Sequence, residues 1–417
     1  MSMISEIARK SREASFFLAN AGTDKKNKVL KDISDSLVEN CQEIINANII
    51  DCNNAAKEKI SDSLLDRLRL DAKRIKAIAE GIRDVINFTD PVGEIIFGYD
   101  LPNGLSLSNI RVPFGVIGII YEARPNVTVD SSVLCLKAGS SVILRGSSHA
   151  INSNMKLVDI MKTALIKNDF PADLIQIIPT SSREDTKELM RMREFIDVLI
   201  PRGGKGLIDN VVTNSMIPVI ETGIGNCHIY IDNKYGLSAE KIIDIVLNSK
   251  TQRPSVCNAA EKLLIHSEAA ENLLPKILKA LENKNVALKG CPVSRAIYPS
   301  LEPADEEDWY AEYLDLVMAV KVVDKLEDAV NHINKYGSHH SESIITEDYY
   351  NARYFTSRID SAAVYVNAST RFTDGGQFGM GAEIGISTQK MHWRGPMGLR
   401  QLTTNKFIVY GEGQIRE

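Results

Sequence analysis

Apolar residues recur three and four apart through the first hundred positions. Ile4, Ile7 and Ala8, and then Leu30, Ile33 and Leu37, each fall on one face while charged residues fill the others, which predicts amphipathic helices. From Arg111 onward the pattern changes to short apolar runs alternating with amphipathic stretches. VPFGVIGII predicts a strand, SSVLCLKAG a helix, SVILRG a strand, NSNMKLVDIMKTALIK a helix, DLIQIIP a strand and REDTKELMRM a helix. FIDVLIP, a helix after GGKG and MIPVIE continue the series. Strand, helix and strand repeated at this spacing predict a parallel sheet covered by helices on both faces.

A second α/β series follows. NCHIYID, EKLLIH, LDLVMAVKVV, SESIIT and AAVYVN read as strands, and AEKIIDIVLNSK, EAAENLLPKILKALE and LEDAVNHINKY as helices. Gly223-Ile224-Gly225 is the expected boundary between the two series. Outside both, GYDLPNGLSLSNIRV carries Pro-Asn-Gly between alternating residues and predicts a hairpin. GLRQLTTNKFIVYGEGQ alternates in the same way. Two β segments outside the main sheets are expected to extend a sheet between subunits, so the chain is expected to form a homo-oligomer, a dimer or a tetramer.

Composition narrows the class. A chain of 417 residues exceeds what one core usually organises, and 44% hydrophobic with 25% charged residues describes an ordinary globular protein. The net charge of −5 and the lack of a basic block with interleaved aromatics exclude nucleic acid as the expected partner. No apolar run approaches the roughly 18–20 residues a membrane helix requires, and MSMISEIARKSREASFF lacks a signal-peptide core. Six scattered cysteines without a CxxC pair point to reduced thiols in the cytoplasm. No Cys or His cluster has metal-ligand spacing, and adjacent His339 and His340 would not face one ion, so no metal is expected.

Three segments could carry chemistry. Gly203-Gly204-Lys205-Gly206 follows a predicted strand and opens a helix, which suits either an anion cradle at a helix N-terminus or a tight turn. Arg202 and Lys205 favour the anion. Cys257, in the polar stretch TQRPSVCN, reads as a catalytic thiol near Arg253 or as a small buried residue. Cys135 and Cys227 sit in apolar runs and read as core, whereas Cys41, Cys52 and Cys291 have no partner in view. The long loop VNASTRFTDGGQFGMGAEIGIS costs ordering entropy, and Arg371 and Thr373 within it suit a carboxylate or phosphate.

At these residues the chain resembles a known family. IIYEARPNVTVD, AGSSVILRG, LIPRGGKG, KTQRPSVCN, AAVYVNASTRFTDGGQFGMGAE and RGPMGLRQLTTNK together are similar to the γ-glutamyl phosphate reductase family, itself related to the aldehyde dehydrogenases. The resemblance implies an α/β, aldehyde-dehydrogenase-like fold. Residues 1–98 and 112–222 would form a Rossmann-like cofactor domain, 223–395 a catalytic domain, and 99–111 with 396–417 a small β oligomerisation element. It implies NADPH-dependent reduction of L-glutamyl 5-phosphate to L-glutamate 5-semialdehyde through a thioester on Cys257. The bifunctional relatives carry an N-terminal kinase for which this chain has no room, and the lability of the acyl phosphate makes glutamate 5-kinase an expected partner. An aldehyde or acyl-phosphate dehydrogenase of other specificity is the alternative, and it would not need the TRFTDGGQFG loop.

The resemblance also transfers residues. Arg145 stands where aldehyde dehydrogenases place a Lys that contacts the adenosine ribose. Ser148, beside Ser147, lies where NAD-preferring relatives carry a Glu, and a cation without that carboxylate favours NADP. Gly203, Gly204, Lys205 and Gly206 match a turn facing the dinucleotide, and Glu312 matches a Glu that holds the nicotinamide ribose. Arg253, Asn367, Ser369, Thr370, Arg371 and Thr373 are the substrate candidates, with Arg124 near the phosphate. Two positions depart from the pattern. Ala123 replaces the oxyanion-loop Asn, which makes Asn126 the candidate donor, and Glu221 occupies the general-base position in a reaction that needs no hydrolytic water.

Overall fold

The computed structural model describes residues 2–180 and 182–416. The chain divides into two compact units. The first holds residues 2–221, 380–385 and 397–416, and the second 222–379 and 386–396.

In the first unit, five helices precede the first strand, and the last of them, Ala72–Asn87, buries Ile75, Ala79, Ile82 and Val85 at helical spacing. A four-stranded parallel sheet follows, in the order Ile175–Ile177, Ser141–Arg145, Val116–Tyr121, Val198–Arg202. Val116–Tyr121 is buried at every position, as a central strand covered on both faces must be. The predicted strand VPFGVIGII is cut in two at Gly115. Its first residues end Ser106–Pro113, which is central to a separate three-stranded antiparallel sheet flanked by Ile95–Asp100 and Thr403–Tyr410. The hairpin and the C-terminal β segment therefore pair with each other inside one chain. MIPVIE forms no strand. Leu199 and Val219 make one isolated bridge, and Pro218, lacking an N–H, cannot extend a ladder.

The second unit is built on a seven-stranded, all-parallel sheet. Its order is Glu302–Pro303, Ala287–Gly290, Val317–Val323, Ala260–His266, Cys227–Ile231, Ser341–Ile345, Ala363–Val366. The helix expected over LEDAVNHINKY spans Leu326–Tyr336, with Leu326, Ala329, Val330, Ile333 and Tyr336 buried. Ala287–Gly290 and the helix Tyr349–Arg358 were not expected, because the first is too short and the second too polar to show a period.

The turn between helix Ala239–Thr251 and strand Ala260–His266 is closed by charge. Lys250 Nζ lies 2.8 Å from Glu261 Oε2, and both side chains are wholly buried. The other carboxylate oxygen of Glu261 accepts from Leu314 N at 3.2 Å, and Lys262 Nζ donates to Ala311 O at 2.6 Å. Leu314 adopts a φ of +54°, a left-handed conformation costly for a branched residue. Two adjacent strand residues thus fasten the 251–260 turn on one side and the 311–314 segment on the other. Among the described residues, no helix is long and apolar enough to cross a membrane.

Glu261→Gln leaves the Lys250 charge buried without its counterion and is expected to cost ~3–5 kcal/mol of stability. Lys250→Met combined with Glu261→Leu is expected to recover more than half of that loss. Urea unfolding of the single and double variants checks both outcomes.

Candidate active site

Cys257 lies in the clasped turn of the second unit, partly exposed. Its sulfur is 3.1 Å from His340 Nε2, and His340 immediately precedes strand Ser341–Ile345. Cys227, which opens strand Cys227–Ile231, donates its thiol hydrogen to Cys257 O at 3.1 Å. Cys257, Cys227 and His340 therefore line up across three neighbouring strands at their N-terminal ends. Burial pushes the Cys227 thiol well up and pulls the His340 imidazole down to about 4, so both are neutral near physiological pH.

The backbone under Cys257 leaves no room for a side chain at Gly225, where a Cβ would stand 1.5 Å from Cys257 O. Gly225 N donates to Glu312 Oε1 at 2.5 Å. Glu312, Gly225 and Cys257 thus form one connected group, with Glu312 carried on the segment that Glu261 and Lys262 fasten.

The loop after strand Ala363–Val366 runs back toward the same end of the sheet. Asn367, at a φ of +58°, uses its amide on Thr346, accepting from its N–H at 2.9 Å and donating to its O at 2.8 Å. Buried Ser369 accepts from Ser249 Oγ at 2.9 Å and from Arg371 N. Thr370 Oγ1 donates to Asn258 O at 2.7 Å, and Asn258 Nδ2 donates to Thr373 O at 2.8 Å. Thr373 Oγ1 accepts from Ser341 Oγ at 2.6 Å and pairs with Tyr365 OH at 2.7 Å. The polar side chains expected to meet substrate here are occupied in tying the loop to the cysteine turn.

Arg371 and Arg253 differ from them. Arg371 is half-buried and Arg253 exposed. Burial pulls the Arg371 pKa down, Asp374 and the Cys257 sulfur favour its charge, and Arg253 opposes it. Arg371 Nε donates to Gln252 Oε1 at 2.7 Å. A cavity of about 210 Å³ is lined by Asn248, Gln252, Arg371, Phe372, Asp374 and Gln377. Two cations in mutual repulsion beside a polar cavity suit an anionic ligand.

In the first unit the candidates gather at the C-terminal edge of the four-stranded sheet. Arg145 ends strand Ser141–Arg145, and its guanidinium donates to Gly146 O at 3.3 Å and to Ser182 O at 3.4 Å. Ser147 caps the short turn Ser148–Ala150, and Ser148 is exposed. Gly203 and Gly204 follow Val198–Arg202, with Lys205 and Gly206 opening helix Lys205–Asn214, all four exposed. The Gly204 N–H donates to Glu122 Oε1 at 2.9 Å, so a carboxylate from the neighbouring strand's loop occupies the turn. Arg124 precedes helix Pro125–Lys137, and Asn126 Nδ2 donates to Asp130 Oδ2 at 3.0 Å. The crevice between the ends of Val116–Tyr121 and Val198–Arg202 is the point where strand order reverses, the usual place for a dinucleotide. A Rossmann sheet that holds NAD offers an acid near the end of its second strand, whereas Arg145-Gly146-Ser147-Ser148 offers a cation and hydroxyls, which fits a 2′-phosphate.

Sequence reasoning missed His340, Gly225 and Glu122. His339-His340 drew attention only as a poor metal site. The contact of His340 with Cys257 depends on sheet order, which brings together residues 83 apart in sequence.

A family model for the aldehyde dehydrogenase family matches residues 2–290. The chain is 54% identical to the γ-glutamyl phosphate reductase of Clostridium perfringens over 408 residues, covering 98% of each. The crystal structure of γ-glutamyl phosphate reductase from Thermotoga maritima matches with a TM-score of 0.97 at 50% identity, covering 100% of both chains. An acetylating aldehyde dehydrogenase from Geobacillus thermoglucosidasius matches with a TM-score of 0.71 over 99% of this chain and 97% of its own. At 16% identity that last likeness concerns the fold alone.

Proposed function

Because the chain belongs to the γ-glutamyl phosphate reductase family, within the aldehyde dehydrogenases, we propose that Cys257 is the nucleophile of its reaction. The enzyme reduces L-glutamyl 5-phosphate to L-glutamate 5-semialdehyde and phosphate with NADPH, the reductive step of proline formation from glutamate. The observation that carries the role of Cys257 is its setting. Cys135, Cys227 and Cys291 are buried and Cys41 and Cys52 lie within a helix, whereas Cys257 is part-exposed in a turn fastened on both sides.

The Cys257 sulfur attacks the acyl carbon, the carbon–oxygen bond to phosphate breaks, and a glutamyl thioester remains. A thiolate is strongly nucleophilic near neutral pH, and a thioester accepts hydride far better than a carboxylate. NADPH, when bound, supplies that hydride to the thioester carbonyl. The resulting thiohemiacetal alkoxide expels the sulfur and releases the aldehyde. The backbone N–H at Cys257 and the Asn126 amide are our candidates for the oxyanion. Arg253 and Arg371 take anionic groups of the substrate, with Arg124 assigned to the phosphate. Asn367, Ser369, Thr370 and Thr373 act on substrate through the loop they hold. Arg145, Ser147, Ser148 and the 203–206 turn serve the dinucleotide, and Glu312 its nicotinamide ribose.

We also propose that the three-stranded sheet is a self-association surface. Ile95, Phe97, Tyr99, Phe407 and Tyr410 are 47–69% exposed on it, with Phe97 stacked on Tyr99 at 6.3 Å and edge-on to Phe407 at 6.0 Å. An aromatic patch of that kind is rarely left in water, and a second copy would cover it. The cytosol is the compartment we assign, since all six thiols are free.

Purified enzyme given glutamate 5-semialdehyde is expected to reduce NADP over many turnovers only when phosphate is present to discharge the thioester, and Cys257→Ala to lose more than ~10³-fold in rate. Oxidation of simple aldehydes without phosphate would sink the acyl-phosphate reading. Phe97→Asp is expected to shift the sedimentation coefficient toward the monomer, and an unchanged value would remove the surface assignment.

A further inference from the structure

Cys257 needs somewhere to put its proton. Four side chains form a chain that starts at its sulfur: His340, Ser341, Thr373 and Tyr365. His340 Nε2 is 3.1 Å from Cys257 Sγ, His340 Nδ1 is 2.8 Å from Ser341 Oγ, and Ser341 Oγ donates to Thr373 Oγ1 at 2.6 Å. Ser341 has one hydroxyl hydrogen and gives it to Thr373. It must therefore accept from His340, which places the imidazole hydrogen on Nδ1. The Nε2 lone pair is left facing the thiol. Thr373 in turn meets Tyr365 OH at 2.7 Å, which closes the chain.

We propose that His340 is the general base of acyl transfer, taking the Cys257 thiol proton through Nε2 as the sulfur attacks the acyl phosphate. This rests on Cys257 being the nucleophile. The step balances: the S–H bond breaks, an S–C bond forms, and the C–O bond to phosphate breaks. The proton on Nε2 then passes to the departing phosphate, which leaves as the hydrogen phosphate dianion. After hydride transfer the S–C bond breaks, and the expelled thiolate is reprotonated by solvent.

The setting explains why the base acts only at the moment of attack. The groups facing the ring are the thiols of Cys257 and Cys227 and the Ser341–Thr373–Tyr365 hydroxyls, while Glu342 and Glu312 act on Cys227 beyond them. His340 is fully buried. Burial therefore disfavours an imidazolium standing at His340 before the substrate arrives. A dianionic acyl phosphate brings the negative charge that makes proton transfer favourable.

His340→Gln retains a hydrogen-bonding group but cannot accept the proton. Near neutral pH its kcat/KM is expected to fall ~10²–10⁴-fold. The deficit should shrink about tenfold per pH unit as pH rises toward the free-thiol value near 8.5, because solvent then supplies the thiolate. A merely structural role would give a loss independent of pH, and that result, or wild-type kcat/KM at neutral pH, would overturn the proposal. If the variant does not fold, the wild type still decides. Its burst of phosphate release from the acyl phosphate is expected to slow about two- to threefold in D₂O with a proton in flight, and an absent isotope effect contradicts the assignment. Activity surviving in Cys257→Ala would instead remove the nucleophile itself.

Discussion

The buried carboxylate of Glu261 is the point on which the second unit's site depends. One of its oxygens holds Lys250 across the 251–260 turn, and the other holds the strained Leu314 backbone beside Glu312. Two ions taken out of water cost several kcal/mol each, repaid only by close geometry and further hydrogen bonds. Such a pair contributes less to net stability than to a unique arrangement. Here the arrangement is a cysteine turn and a Glu312 segment that share one anchor, joined again where Gly225 touches both Cys257 and Glu312.

The two units use opposite edges of their sheets. In the first, Arg145, Ser147, Ser148 and the glycine turn come off the C-terminal ends of the two strands that flank Val116–Tyr121, where strand order reverses. In the second, Cys257 and His340 precede their strands and Cys227 opens its own, so the cysteine turn lies at the N-terminal edge. The polar loop after Ala363–Val366 returns along the sheet to reach that edge, which explains why its serine and threonine hydroxyls bond to Asn258 and Ser341.

Much of the fold was legible because it follows from local periodicity. The strands around NCHIYID, EKLLIH and SESIIT and the helix over LEDAVNHINKY lie where apolar spacing puts them. The failures have local causes too: Pro218 prevents a ladder in MIPVIE, and Gly115 divides VPFGVIGII between two sheets. The site was less legible. Cys257 stood out by family likeness and by its polar setting, but nothing along the chain joins it to His340. Glu122 on the glycine turn was equally hidden, since its contact with Gly204 is set by the pairing of Val116–Tyr121 with Val198–Arg202. In the TRFTDGGQFG stretch, Thr370 and Thr373 hold the loop against Asn258 and Ser341 and leave the charge to Arg371, a division that no pattern along the chain shows.

The proposal for Cys257 is that covalent chemistry runs through its sulfur. Its most direct test is to mix the enzyme with glutamate 5-semialdehyde and NADP without phosphate, quench with acid and map the peptides by mass spectrometry. A burst of NADPH stoichiometric with enzyme is expected, with a glutamyl thioester on the peptide containing Cys257 that is discharged on adding phosphate. A burst with the adduct on another cysteine, or NADPH formation with no covalent adduct, would contradict it.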